Sequence, residues 1–236
     1  MSASDQAPGR RSGPLDDASW PEKLTARVVA PGPTPTIHGY DVEGDLARHY
    51  SFAETVLLAL TGDVPTTEQG RAFEVALHFL SPSPINEAPT HAAVVARICN
   101  VLTSAIIGTA AIALAEQARV AVFEHSGWIR RLESEELGPV DEWAPGSDDE
   151  RRSVQRLRET LHARGIALPA LDHDVGRLAA LIATLRFAGL THPDQLEAVL
   201  VMARLPCALA EALATPPHSF RDYPIDLPPV RYAPPP

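Results

Sequence analysis

The chain has 236 residues, of which 45% are hydrophobic and 21% are charged, and this composition predicts an ordinary globular domain. The formal net charge is −10 and the Lys and Arg residues are scattered, which argues against nucleic acid and against an anionic membrane surface as partners. The polar first 19 residues have no apolar segment, so they predict a disordered tail rather than a signal or transit peptide.

Helical periodicity follows along most of the chain and alternating strand patterns are almost absent, so the sequence predicts an all-α protein. The predicted helices span about 40–48, 51–61, 67–80, 90–100, 101–131, 148–164, 171–189 and 193–214. Ser51 with Glu54 forms a capping-box signal at one helix start, and Gly62 is a stop signal at its end.

The most apolar stretch, VLTSAIIGTAAIALA, covers residues 101–115. It is shorter than the roughly 20 residues that a helix needs to cross a bilayer, so we expect no membrane span. Because it is apolar on every face, we expect it to be covered on all sides, either by its own domain or by a second subunit.

Cys99 and Cys207 each lie in an apolar helical run, which predicts buried, reduced thiols and a cytoplasmic protein. The histidines show no metal-ligand spacing, and the cysteines have no paired cysteine, so no metal site is expected. The sequence also lacks a glycine-rich phosphate loop and a serine-hydrolase nucleophile turn.

The composition divides the chain into five parts. Residues 1–19 form the tail, 20–131 the first helical part, and 166–215 the second helical part. Between them, residues 132–165 include an acidic stretch with Gly and Pro, which predicts a linker or surface region. Residues 216–236 contain eight prolines and predict an extended arm.

Three segments carry a family resemblance. IHGYDVEGDLARHYSFAETVLLALTGDVPT, over residues 37–66, resembles the opening motif of the citrate synthase and citryl-CoA lyase family. MARLPCALAEAL, over residues 202–213, is similar to the family's closing helix, and LPALDHDVGRLAALIATLRFAGL, over residues 168–190, resembles its Asn-Val-Asp helix start. The resemblance implies a citrate-synthase-like large helical domain, with the small domain reduced to residues 132–165.

The family's reaction defines the candidate site. An Asp takes a proton from the methyl group of an acyl-CoA, one His stabilises the enol, and a second His protonates the keto-acid carbonyl. Arginines hold the carboxylates. The resemblance places the carboxylate-binding arginine at Arg204 and the catalytic Asp at either Asp172 or Asp174. As alternatives, either Asp suits a helix N-cap, and Arg204 suits a surface arginine paired with an acidic neighbour.

The family's histidines are poorly matched. Asn86 stands in the loop where the first His is expected, with His91 five residues later, and both are candidate substrate-binding residues. Ala121 stands at the spacing of the second His, and His125, one turn later, is the candidate catalytic histidine. The family's Gly-x-Gly-His motif has no counterpart between residues 131 and 168, so the resemblance implies a shortened, catalytically divergent member.

Two functions remain open at this stage. One is the condensation or cleavage of a carbon–carbon bond between an acyl-CoA and a keto acid, with a partner chain completing the site where needed. The other is a noncatalytic pseudoenzyme that acts as a binding or structural subunit. Either implies a homodimer, or a heterodimer with a citrate synthase homologue, and acyl-CoA and di- or tricarboxylates as ligands. Acyl-CoA enters as a substrate, and no cofactor is expected.

Overall fold

The computed structural model describes residues 23–134 and 140–217, and most of these residues are helical, which confirms the predicted all-α class. The helices are α1 (Ala47–His49), α2 (Phe52–Thr61), α3 (Thr67–Leu80), α4 (Ala88–Ile98), α5 (Thr103–Glu124), α6 (Ser126–Ser134), α7 (Asp148–Ala163), α8 (Arg177–Phe187) and α9 (Pro193–Ala214). The predicted tail and most of the predicted arm lie outside the described residues.

A small antiparallel sheet precedes the helices. Its strands are β1 (Val29–Ala30), β2 (Thr36–Ile37) and β3 (Tyr40–Asp41), paired in that order. His38 and Gly39 join β2 to β3 with φ angles of 48° and 88°, as a two-residue hairpin turn requires. The helix predicted from residue 40 is therefore wrong at its start, where the hairpin and a π-helical turn at Val42–Leu46 replace it.

The capping-box signal at the start of α2 is confirmed, and α3 begins with a second box. The Ser51 hydroxyl oxygen accepts a hydrogen bond from the Glu54 backbone N–H, and the Glu54 carboxylate accepts one from the Ser51 backbone N–H. Thr66 and Gln69 form the same reciprocal box at the start of α3. Gly62, with φ 85°, ends α2 in the left-handed conformation that favours glycine. Local sequence therefore determines where both helices begin.

The main core surrounds α8. Every residue from Ala179 to Leu185 is buried, although the sequence predicts an amphipathic helix here. Trp128 on α6 is fully buried and its Nε1 donates to the Ala179 carbonyl oxygen at 2.8 Å. Helices α3, α6, α7 and α9 supply much of the remaining apolar cluster. Since α8 is enclosed by its neighbours, it needs no polar face.

Helix α5 is buried along one stripe and exposed along the other. Residues spaced by four face the core: Ile106, Ala110, Leu114, Ala118 and Val122. On the outer side, Ile112 and Phe123 are 70% and 74% exposed. The prediction that this helix is covered on all sides is therefore wrong for the single chain, which leaves the outer face of α5 exposed.

Packing also bears on the membrane question. Among the described residues, α5 is the one helix long and apolar enough to cross a membrane, and 28% of its apolar window is buried in this chain. It packs extensively against both α4 and α9, and the three helices share a second, smaller core. One face of α5 therefore packs within this chain, and its outer face is exposed.

The start of α8 depends on a residue from another helix. Gly176 precedes α8 and provides no side-chain cap. Glu150 of α7 supplies it instead, because its carboxylate accepts hydrogen bonds from the Arg177 backbone N–H at 2.6 Å and the Gly146 backbone N–H at 2.8 Å. This contact ties α7 to the central helix.

Gly176→Ala should therefore destabilise the fold. A Cβ there would lie 2.9 Å from Glu150 Oε1 and 3.2 Å from the Trp143 carbonyl oxygen. We expect the free energy of unfolding in urea to fall by about 1–3 kcal/mol, the cost of displacing a capping group. Gly146→Ala is the control, since its Cβ would meet Glu150 Oε2 at an ordinary 3.7 Å. Equal stability of the two variants would contradict this role of Glu150.

Candidate carboxylate-binding cleft

A cleft of about 680 Å³ opens where α5, α7, α8 and α9 meet the loop between α3 and α4. Three arginines lie on its wall, namely Arg156 of α7, Arg177 of α8 and Arg204 of α9. Half of the lining is apolar: Leu80, Pro82, Leu114, Ala118, Ala121, Leu178, Leu181 and Leu200.

The remaining lining residues are three carboxylates and two neutral polar residues: Glu87, Asp149, Glu150, Gln117 and Ser153. Each of these carboxylates already has partners, namely Arg204 for Glu87, Arg152 for Asp149 and two backbone N–H groups for Glu150. A cleft with three guanidinium groups among its walls therefore suits an anionic organic ligand.

Arg204 is the most firmly held of these arginines. Its side chain is only 16% exposed, and its Nη1 donates to Gln117 Oε1 at 2.8 Å. Its Nη2 donates to the carboxylate of Glu87 and, at 3.5 Å, to Ser83 Oγ. Arg204 therefore has the acidic partner of the surface alternative, but it lies largely buried in a cleft.

The loop before α4 presents Glu87 to the cleft. Ser83 and Thr90 are buried there, with their hydroxyl oxygens 2.7 Å apart, and the Thr90 hydroxyl donates to the Ser83 carbonyl oxygen at 2.9 Å. Glu87 occupies the N-cap position of α4, yet its side chain forms no capping hydrogen bond. Its carboxylate is directed to Arg204 instead.

Arg156 and Arg177 are less fully engaged. The Arg177 Nη2 donates to the Phe79 carbonyl oxygen, but its buried Nε has no hydrogen-bond partner. The exposed Arg156 guanidinium forms no hydrogen bond or ion pair with any residue in the described ranges. The Arg156 guanidinium and the Arg177 Nη1 therefore retain donors that an anion can use, whereas the Arg177 Nε is buried out of reach of a ligand.

Asp172 and Asp174 lie outside the Arg204 cleft. They line a second hollow of about 430 Å³, together with Arg151. Both are exposed, and Asp174 accepts from Arg151 Nη2 at 3.2 Å, a contact that raises the pKa of Arg151 above its ordinary value. Neither aspartate caps α8, whose N-cap is Gly176. The structure thus separates these candidates from Arg204.

The remaining predicted residues also lie beyond the cleft lining. His125 ends α5, half-buried, with its Nδ1 2.8 Å from the Ala121 carbonyl oxygen. Asn86 is exposed in a turn, and His91 is exposed on the first turn of α4, as predicted. Ala121 does line the cleft, so the position expected for the family's second His faces the site with a methyl group.

Sequence reasoning missed the polar partners of Arg204. Glu87 directly follows Asn86, a position already of interest, and Gln117 lies one helical turn before Ala121. The closeness of Glu87 and Gln117 to these two positions was the signal in the sequence that could have identified them as site residues. Glu150 gave none, since its role depends on the approach of α7 to α8.

The cysteine prediction needs correction. Cys99 and Cys207 are unpaired, as expected, but each is half-buried rather than buried. Within residues 23–134 and 140–217, His, Cys, Asp and Glu side chains form no group of three or more that could hold a metal ion.

Comparisons with known proteins place this architecture. No protein-family model and no curated protein matches the chain. Among solved structures, it is similar to citryl-CoA lyase from Hydrogenobacter thermophilus, with a TM-score of 0.62 and 17% identity over 89% of this chain and 97% of that chain. It is also similar to an ATP citrate lyase from Methanosaeta concilii in complex with (3S)-citryl-CoA, with a TM-score of 0.61 and 12% identity. That match covers 91% of this chain and 43% of the other.

These likenesses establish the fold. Because the match spans nearly all of the Hydrogenobacter lyase chain, the short region over 132–165 does not set this protein apart from that lyase. The protein has the citrate-synthase-like helical fold that the sequence resemblance predicted.

Proposed function

We propose that the cleft around Arg204 binds a di- or tricarboxylate of the citrate class, free or as a CoA thioester. The protein then acts as a citryl-CoA-lyase-type protein, in cleavage or condensation of the carbon–carbon bond between an acyl-CoA and a keto acid. One observation carries this proposal. Arg204 is largely buried in the wall of a large cleft, and its guanidinium already pairs with a carboxylate, that of Glu87.

The arginines suit a ligand with several carboxylates. Arg204 binds one of them, because a planar guanidinium can donate to two oxygens of the same group. Arg177 and Arg156 offer further donors on α8 and α7, the walls of the same cleft. Leu178 and Leu181 supply apolar surface between charged groups, which suits the methylene carbons of citrate.

Proton transfer needs an acid or base that is free to act, and the groups in the cleft are already engaged. Among the described residues no histidine lines the cleft, and its carboxylates, Glu87, Asp149 and Glu150, all accept hydrogen bonds. We therefore propose that a partner chain, or a movement that brings His125 inward, supplies the acid and base.

A noncatalytic subunit is the second candidate. It is favoured by Ala121, which lines the cleft where the resemblance expects the second histidine. In this version the protein binds the carboxylate ligand and does not turn it over. The protein then acts as a binding subunit that pairs with a homologue in which the catalytic residues are intact.

The outer face of α5 suits a second copy or a homologue. Ile112 and Phe123 lie exposed on this face, and Leu102 just before the helix is 78% exposed. Exposed apolar residues that recur along one helix mark an interaction surface. We propose a dimer through this face.

Titration calorimetry tests the carboxylate site. We expect citrate to bind the wild-type protein, and Arg204→Lys to weaken binding at least about tenfold, because lysine keeps the charge but loses the fork. Glu116→Gln is the control, since Glu116 is exposed and pairs with Arg119 outside the cleft. Oxaloacetate and acetyl-CoA are titrated in parallel. Turnover is measured in two ways: oxaloacetate formed from citryl-CoA reports cleavage, which releases no thiol, and thiol release from acetyl-CoA with oxaloacetate reports condensation followed by thioester hydrolysis.

The outcomes separate the candidates. Turnover by the purified protein alone in either assay, oxaloacetate formed from citryl-CoA or thiol released on condensation, would rule out the noncatalytic subunit. Citrate binding without turnover would support it. If citrate, oxaloacetate and acetyl-CoA all fail to bind, alone or with a homologue added, the carboxylate site itself is wrong.

Ile112→Arg tests the dimer. The side chain is 70% exposed in the single chain, so the variant should fold, whereas an arginine at an apolar interface loses water without a partner. Sedimentation should show a dimer for the wild type and a monomer for this variant. Gln155→Arg, at an exposed site on α7, should remain dimeric. A dimeric Ile112→Arg variant would place the interface elsewhere.

A further inference from the structure

The side chains of Arg204, Glu87 and Gln117 form a hydrogen-bond network around the Arg204 guanidinium. The Arg204 guanidinium donates to Gln117 Oε1 and to Glu87 Oε2. The amide Nε2 of Gln117 lies 3.5 Å from the same Glu87 oxygen. All three residues line the cleft, so the network stands where a ligand carboxylate would bind.

Glu87 holds Arg204 through one oxygen. Its Oε2 receives the contacts from Arg204 and Gln117, and no residue in the described part of the chain donates to its Oε1. A ligand carboxylate that meets the guanidinium fork with both oxygens forms two parallel charge-assisted bonds. Such a ligand can therefore compete with Glu87 for the same donors.

Within the described residues, the Glu87 side chain makes no hydrogen bond beyond those with Arg204 and Gln117. It leaves the N-terminus of α4 uncapped, and the hydroxyl pair of Ser83 and Thr90 anchors the loop instead. The Glu87 side chain is 32% exposed. It can therefore swing away from Arg204 without dismantling α4.

We propose that Glu87 is an internal competitor for the carboxylate subsite, a role that rests on the proposed function of the cleft. In the ligand-free protein its carboxylate occupies Arg204, and a ligand carboxylate binds by displacing it. This competition sets the specificity of the subsite. A polycarboxylate that also reaches Arg177 and Arg156 displaces Glu87, and a monocarboxylate such as acetate does not.

The strength of this competition depends on the fraction of ligand-free protein in which Glu87 is paired with Arg204. The apparent dissociation constant equals the intrinsic one divided by the fraction of protein with a free site, so occupancy of about nine-tenths weakens binding about tenfold. Glu87→Gln removes the competing charge while its amide oxygen can still accept from Arg204. We expect this variant to bind citrate about tenfold more tightly than the wild type.

Citrate calorimetry on four proteins tests the proposal: wild type, Glu87→Gln, Glu116→Gln and the double variant Glu87→Gln with Arg204→Lys. Glu116→Gln removes the same charge from the residue beside Gln117 and should match the wild type. The double variant should lose the gain, because the freed donors belong to Arg204. Thermal unfolding without ligand checks that each variant is folded, and acetate is titrated as the monocarboxylate probe.

Each outcome decides one question. Wild-type binding that Glu87→Gln leaves unchanged or weakens would overturn the competitor role and leave the carboxylate site standing. An equal gain in Glu116→Gln would also overturn it, since the effect would then be a general one of charge. Binding by neither wild type nor Glu87→Gln would overturn both proposals. A gain in Glu87→Gln that Arg204→Lys abolishes would establish the competitor role.

Discussion

The charge on Arg204 is the constraint around which the cleft is arranged. A guanidinium that is only 16% exposed must be paired, because an uncompensated charge in that environment costs several kcal/mol. Its two partners are distant in the sequence. Glu87 precedes Arg204 by 117 residues, and Gln117 precedes it by 87 residues. The pairing therefore joins α9 to α5 and to the loop before α4, and it fixes the shape of one end of the cleft.

The rest of the fold supplies rigid walls for that cleft. The main core encloses α8, and a second core lies where α4, α5 and α9 meet. Glu150 links α7 to the start of α8 through the Arg177 backbone N–H. Arg156 and Arg177 are therefore carried on packed helices, which is how a binding site obtains fixed donor positions.

Local signals in the sequence were sufficient for much of the fold. The Ser51–Glu54 and Thr66–Gln69 boxes are contained within four residues each, so their helix starts were readable. The burial of α8 was not, because enclosure by other helices does not follow from its own periodicity. Arg204 was found by resemblance, whereas Glu87 was not, since its partner lies 117 residues away. The alignment with the family motif points to Asp172 and Asp174, but such an alignment does not tell which cleft their side chains line.

We expect Arg204 to receive a ligand carboxylate in place of Glu87, and a crystal structure of the wild-type protein grown with citrate can show this exchange. A citrate carboxylate should lie within hydrogen-bond distance of both Arg204 Nη atoms, with the Glu87 carboxylate withdrawn from the guanidinium. Citrate bound elsewhere, or an Arg204–Glu87 pair that stays intact with citrate in the cleft, would contradict it.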